Sequence, residues 1–400
     1  MPDKTDRILY VQYYNPAAYP PLEHSSHVLA GAGWSVRFLG ARLGVVGALE
    51  LPPHPRIEVR ELPEAAPGWR QKLNYLRFCL WVVANVLAWR PRWVYASDVM
   101  AAPPALAAML LGARVVYHEH DSPNPTGGEG LFLRLCLAAR RRLARTADAL
   151  VLPNAERAEH VSRAVAGGRS ATIVWNCPLR EEVRSARAPL DPDGPVRVLY
   201  HGSIVPERLP LSVLHAVAAA SDRTELVVAG YVPPGAEGHV EAMRAEAERL
   251  GIGHRFTYAG PVPRRKDLLD LCATCDVGLA LMPLRSGDVN LRAMTGASNK
   301  AFDYLACGLA LVVSDLPDWR AMFVDAGFAV ACDPRDEGSI ERALREYAAD
   351  PARLREMGER GRRRVAAEWN YEARFAPVLD LLSRPGAPVV SAASLPAVGR

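Results

Sequence analysis

Thr295-Gly-Ala-Ser-Asn-Lys-Ala-Phe-Asp-Tyr-Leu-Ala-Cys-Gly-Leu-Ala-Leu-Val-Val313 is the most informative stretch of this 400-residue chain. Ser298 or Asn299 can cap a helix that Gly308 ends, and Ala310-Leu-Val-Val-Ser follows as a buried strand. Lys300, one of only four lysines, then falls in the first helical turn. A cation is misplaced there, because the helix start already carries partial positive charge. Breaking that local rule points to a bound anion that both serve, and phosphate is the natural one; the bland alternative is a solvated lysine. Asp303 suits the same turn through the dipole, and its sharper reading is an acceptor for a ribose hydroxyl.

Outward from this stretch, short β-branched runs alternate with helical patterns. Arg7-Ile-Leu-Tyr-Val, Ser35-Val-Arg-Phe-Leu, Ile57-Glu-Val-Arg-Glu, Trp93-Val-Tyr-Ala, Arg114-Val-Val-Tyr-His, Ala149-Leu-Val-Leu and Thr172-Ile-Val-Trp read as strands. Between them, Leu73, Leu76, Leu80, Val83 and Leu87 form one helical stripe, and Phe132, Cys136, Ala139 and Leu143 another. Residues 178–195 read as a Pro- and Arg-rich linker, after which the alternation restarts. This predicts an α/β chain of two Rossmann-like doubly wound domains: 1–177, then 196–370. A last helix over 371–383 is expected to return to the first domain, ahead of a disordered tail over 384–400. Ligands of such sheets bind beyond the carboxyl ends of the strands, so two facing domains would offer a cleft.

Several classes are excluded or disfavoured. No G-x-G-x-x-G follows the first strand and no P-loop motif occurs, against a classical NAD or nucleoside-triphosphate site. Forty-eight basic against 44 acidic residues is too even a balance for a nucleic-acid partner. Seven scattered cysteines fit a reducing compartment, and Cys272 and Cys275 read as small buried hydrophobes. The polar start, Met1 to Arg7, runs straight into a strand and predicts no signal peptide. No apolar run approaches the roughly 20 residues of a membrane span, so the expected location is cytoplasmic, with peripheral contact at the inner membrane face as an option. His118 and His120 share a strand face, but no third metal ligand is apparent; no metal site is expected.

With these residues in view, the chain resembles the GT-B glycosyltransferases, most closely the large retaining family 4. The resemblance covers nearly the whole sequence. It is carried by Asn299-Lys-Ala-Phe-Asp-Tyr-Leu-Ala-Cys-Gly308, by Val198-Leu-Tyr-His-Gly-Ser-Ile with Arg208, by Phe256-Thr-Tyr-Ala-Gly-Pro-Val, and by Val115-Val-Tyr-His-Glu-His-Asp121. It implies transfer of a sugar from a nucleotide sugar to a glycan, lipid-linked or small-molecule acceptor, without metal or cofactor and with retention. It also implies roles. Arg208 and Lys300 touch the donor diphosphate, Asn299 lies beside them, and Gly202 and Ser203 let backbone approach the phosphates. Asp303 holds the ribose, and Gly260, Pro261 and Val262 grip the base. His120 lies beside the transferring sugar with Asp121 next to it, and Asn15 and Tyr19 lie on the acceptor side.

Two departures stand out. Thr295 occupies a position where the family often has a glutamate, leaving backbone amides of Met294 to Ala297 to serve. A Pro- and Tyr-rich turn, Asn15 to Leu22, replaces the usual glycine-rich loop. A nucleotide-sugar epimerase of similar architecture and a non-catalytic nucleotide-sugar or glycan-binding protein therefore remain alternatives. Arg134, Arg140, Arg141, Arg142 and Arg145 crowd one helix, while Trp81, Trp89 and Trp93 flank another, a composition that can lie on anionic lipid or simply pack and be solvated.

Overall fold

Runs of Val, Ile, Leu and Tyr buried on both faces build two parallel sheets, the pattern expected when helices cover each side. The computed structural model describes residues 7–42, 49–66, 68–125 and 127–384. The expected tail beyond residue 384, and the polar start before Arg7, lie outside the described residues. The chain divides into two units, one containing Leu51–Trp175 with the preceding N-terminal segment and the last helix, the other containing Asn176–Tyr371.

In the first unit β1 (Arg7–Val11), α1 (Pro20–Gly31), β2 (Ser35–Ala41), β3 (Ile57–Leu62), α2 (Trp69–Trp89), β4 (Trp93–Ser97), α3 (Asp98–Leu110), β5 (Arg114–His118), α4 (Leu131–Thr146), β6 (Ala149–Leu152), α5 (Ala155–Ala164) and β7 (Thr172–Ile173) follow in order. The sheet order is β3-β2-β1-β4-β5-β6-β7, every pair parallel. Chain order reverses between β1 and β4, and the crevice at their carboxyl ends is where such sheets take ligands.

The second unit runs β8 (Val196–Ser203), α6 (Ser212–Ala220), β9 (Thr224–Tyr231), α7 (His239–Arg249), β10 (Phe256–Gly260), α8 (Arg265–Cys272), β11 (Val277–Ala280), α9 (Val289–Arg292), α10 (Lys300–Ala306), β12 (Ala310–Ser314), α11 (Pro317–Trp319), β13 (Ala329–Cys332), α12 (Glu337–Ala349) and α13 (Pro351–Ala367). Its order is β10-β9-β8-β11-β12-β13, and the reversal lies between β8 and β11. The segment read as a linker packs onto this unit: Glu182 pairs with Arg265, Arg184 with Asp270 and Arg187 with Asp276.

The last helix, α14 (Tyr371–Ser383), belongs mainly to the first unit, where the Trp93 indole donates to the Leu382 carbonyl at 3.2 Å.

One expectation inverts. The stripe of Leu73, Leu76, Leu80 and Leu87 on α2 faces outward, while Tyr75, Phe78, Val82 and Val86 enter the core. The helix is apolar on two opposite sides, and a periodicity match finds a stripe without saying which one the sheet covers.

Candidate functional site

In the second unit the sheet and α10 bring four of the named residues together. β8 ends in Gly202 and Ser203, and the φ of 104° at Gly202 is open to glycine and costly for other residues. A side-chain carbon at Gly202 would lie 2.9 Å from the Lys300 ammonium, so Lys300 lies directly over this glycine. Arg208, in the turn after β8, donates to the Ser203 hydroxyl at 3.2 Å. Burial, with the positive charge of Arg208, pushes the Lys300 ammonium down to about 7, partly opposed by Asp303. Two half-buried cations thus lie side by side at a glycine turn, a local concentration of positive charge.

Asp303 is a correction. Its carboxylate has no exposed surface and is held by the Arg265 guanidinium at 2.7 and 3.3 Å and by the Asn299 amide at 2.8 Å. With both oxygens engaged and buried, no part of it is open to a ribose in this arrangement. Arg265, itself shared with Glu182 at 2.5 Å, is one residue that the sequence does not single out. Its partner lies 38 positions away, so no local pattern signals the pair. Asn299 likewise does not cap α10 through its side chain, which goes to Asp303 instead.

Gly260 ends the edge strand β10, two strands from β8, at a φ of 76°, and Pro261 and Val262 follow it. The loop before α10 is stapled by Asn176, whose backbone N–H and side-chain amide donate to the Gly296 and Ala297 carbonyls at 2.7 and 2.6 Å. Thr295 donates its hydroxyl to the Asp318 carboxylate. An acid missing from position 295 is thus present beside it in space, on α11.

In the first unit, the residues at the end of β5 divide between two sides, as alternation requires. Glu119 turns to one side, fully buried, in a two-pronged pair with Arg140 at 2.6 Å. Arg140 is therefore not part of a solvated arginine face. His118 and His120 share the other side with ring centroids 3.9 Å apart, and His118 Nδ1 meets the Tyr95 hydroxyl at 2.7 Å. Burial pushes His120 down to about 3, helped by Arg157, so the imidazole is neutral near pH 7. Both its ring nitrogens are buried without a hydrogen-bond partner among the described residues, while Tyr19 lies against it at 5.1 Å. Asp121 is mostly exposed and pairs with Arg157 at 3.1 Å.

A cavity of about 310 Å³ opens here, at the β1/β4 reversal, lined in part by Gln12, Tyr14, Tyr19, Ser97, Asp98 and Asp121. Asp98 begins α3 with a φ of 63°, an uncommon conformation for a residue with a side chain. Its carboxylate accepts the His120 backbone N–H at 2.8 Å and the Gln12 amide at 3.3 Å. Burial, then the charge of Asp121, raises it to about 7. Asp98 is a second residue absent from the sequence-based candidates; its signal is a carboxylate directly after a strand, at the ligand-binding end of the sheet. Asn15 corrects the other way: it is buried, and its side chain caps a short helical turn by accepting the Ala17 N–H at 2.9 Å. Tyr19 lines the cavity and Asn15 is not among its lining residues.

Among the described residues no three His, Cys, Asp or Glu side chains converge as a metal cluster, and no helix is long and apolar enough to cross a membrane.

Residues 22–177 match the family described as glycosyl transferase 4-like domain, and residues 214–380 the family described as glycosyl transferase-like. A glycogen synthase of Mycobacterium tuberculosis is 25% identical over 301 residues, 71% of this chain and 67% of that protein. A GDP-mannose-dependent alpha-(1-6)-phosphatidylinositol monomannoside mannosyltransferase of Mycolicibacterium smegmatis is 26% identical over 160 residues, 40% of each chain. Among solved structures, Anabaena HepE in complex with UDP and glucose superposes with a TM-score of 0.69 at 15% identity, covering 94% of this chain and 99% of that one. Sucrose-phosphate synthase from Thermosynechococcus elongatus gives 0.68 at 15% identity, covering 94% and 98%. Two transferase domains in tandem, on two parallel sheets, make this chain a member of the GT-B glycosyltransferases of the family 4 type.

Proposed function

We propose that the chain transfers a glycosyl group from a nucleoside-diphosphate sugar to a hydroxyl of a saccharide-bearing acceptor, with retention and without metal or cofactor. The carrying observation is the Lys300 ammonium poised over Gly202 beside Arg208. Departure of a nucleoside diphosphate builds negative charge on its oxygens, and fixed cations aimed at that charge stabilise it. Arg208 supplies a planar fork and Lys300 a point charge. The nucleotides that relatives take support a uridine or guanosine diphosphate: HepE is described in complex with UDP, and the mannosyltransferase is GDP-mannose-dependent.

In this reading Gly202 and Ser203 let backbone approach the phosphates, and Asn299 lies beside them. Gly260, Pro261 and Val262 contact the base. Asp303 acts indirectly, fixing Arg265 and Asn299. Asp318 takes the place of the acid absent at 295 and receives a donor-sugar hydroxyl. On the acceptor side, Tyr19 and Tyr14 offer flat apolar faces to a sugar ring, and Asp98, Asp121 and Gln12 accept or donate hydrogen bonds to its hydroxyls. Neutral His120 donates one hydrogen bond to the transferring sugar or its phosphate, at no cost in charge repulsion.

The test is calorimetric titration with UDP and GDP. Arg208→Ala and Lys300→Ala are each expected to weaken diphosphate binding by about 1.5–3 kcal/mol, roughly 10- to 150-fold, with the fold retained. Unchanged affinity in both variants rejects the site. The pH dependence has a definite sign. Bound diphosphate raises the Lys300 pKa above its free value of about 7, so the lysine's contribution is full below pH 7 and is lost as pH rises beyond it.

A further inference from the structure

Helices α2 and α4 carry an outward apolar face that the described residues leave uncovered. On α2, Trp69, Leu73, Leu76, Leu80 and Leu87 are 69%, 56%, 55%, 63% and 56% exposed. At 100° per residue they fall within an arc of about 60°. On α4, Leu131 and Leu135 are 72% and 61% exposed. The two helices are neighbours: the rings of Tyr75 and Phe132 meet at 5.0 Å, and the Cys136 thiol reaches the Tyr75 hydroxyl at 3.8 Å. Scattered surface leucines need no explanation, but a continuous row ending in an exposed tryptophan does.

The charges carried by these two helices have one sign. Arg70, Lys72 and Arg77 on α2, and Arg134, Arg141 and Arg142 on α4, are all exposed. Neither helix contains an aspartate or glutamate. None of these six cations has a carboxylate partner among the described residues. A second copy of the chain would bring this same positive rim against itself and be repelled. A bilayer surface rich in anionic lipid offers the opposite charge together with an apolar layer for the leucines.

We propose that this face docks the first unit onto an anionic membrane surface, with Trp69 and the α2 leucines in the headgroup boundary and the six cations over the phosphates. Trp81, Trp89 and Trp93 are not the anchors: Trp93 is buried, and Trp81 and Trp89 are half-buried. The reading is independent of the transfer reaction, since binding is measured without turnover.

The experiment is vesicle co-sedimentation of the full chain, with phosphatidylcholine alone and with about one third phosphatidylglycerol, at low and high salt. Binding is expected only with the anionic vesicles and is expected to fall with salt. Arg77→Ser with Arg141→Ser is expected to weaken it about 30-fold, about fivefold per charge. Leu76→Ser with Leu80→Ser is expected to weaken it at least tenfold, with an unchanged far-ultraviolet spectrum, because these side chains contribute little to the core. No binding to anionic vesicles overturns the proposal. So does equal binding to both vesicle types, or a dimer in sedimentation velocity that the leucine variant dissolves.

Discussion

At the residue scale, three ionisable groups hold unusual protonation states for reasons that can be read from their surroundings. Lys300 is depressed by burial and a neighbouring arginine, His120 by burial and Arg157, and Asp98 is raised by burial and Asp121. Such shifts cluster at functional sites, although structural networks make them too. The lysine and the aspartate both titrate near neutrality, in opposite functional senses. Diphosphate binding favours the acidic side of pH 7, and an acceptor hydroxyl bound to ionised Asp98 favours the alkaline side. Asp98→Asn is therefore expected to abolish the alkaline dependence of turnover while leaving diphosphate affinity unchanged, as a pH profile with the preferred donor would show. Because its folded pKa lies above its unfolded one, Asp98 contributes stability below about pH 4 that is lost as pH rises through 7. The asparagine variant should accordingly melt higher than wild type at pH 8 but not at pH 4. His120→Ala is expected to cut turnover by roughly 10²–10³ with donor affinity almost intact. Wild-type turnover in that variant removes His120 from the mechanism.

At the element scale, the second unit depends on a buried charge seam between α8 and α10. Arg265 on α8 is 9% exposed and lies between Glu182 and the fully buried Asp303. Breaking such a pair strands the remaining charge, at a cost of about 3–5 kcal/mol. Arg265→Met is expected to lower the urea midpoint accordingly, and adding Asp303→Asn should restore part of the loss by removing the stranded charge. If the double variant is no more stable than the single, the seam is not coupled in this way. The same seam explains why a carboxylate expected to face a ligand is instead buried and paired. Asp303 sits where the helical turn puts it, yet a guanidinium from a separate element reached it first. Close approach elsewhere is similarly strict. A side-chain carbon at Gly230 would lie 1.8 Å from the Gly202 carbonyl, so β9 can pass β8 here only with glycine at position 230.

At the scale of the whole molecule, the two units are not each continuous in sequence. The final helix α14 belongs with the first sheet, through the Trp93–Leu382 hydrogen bond and the buried Phe375, Val378 and Leu382. Removing residues 372–400 is expected to lower the thermal stability of the first unit by several degrees, because a chain end now exposes Trp93 and its neighbours. The second unit, whose core clusters around β8, β9, β11 and β12, should melt as before. Hydrogen exchange resolved by segment would separate the two effects, and equal protection in both chains would show that α14 is dispensable.

Alternation of β-branched runs with helical patterns was sufficient, without coordinates, to indicate two parallel sheets, because strand and helix periods are local properties of backbone geometry. The unusual position of Lys300 at a helix start was local in the same sense, and so was the pairing of His118 with His120 on one strand face. What the chain could not disclose locally was every outcome decided by partners distant in sequence. Arg265 claims Asp303, Asp318 stands beside Thr295, and Asp98 lies in a cavity with Tyr19. The sheet covers Tyr75 and Phe78 and leaves Leu73 and Leu80 outside. Local order sets which groups a segment presents. Which of them become buried, paired or left facing outward is settled only when segments far apart in the chain compete for the same space and the same hydrogen bonds.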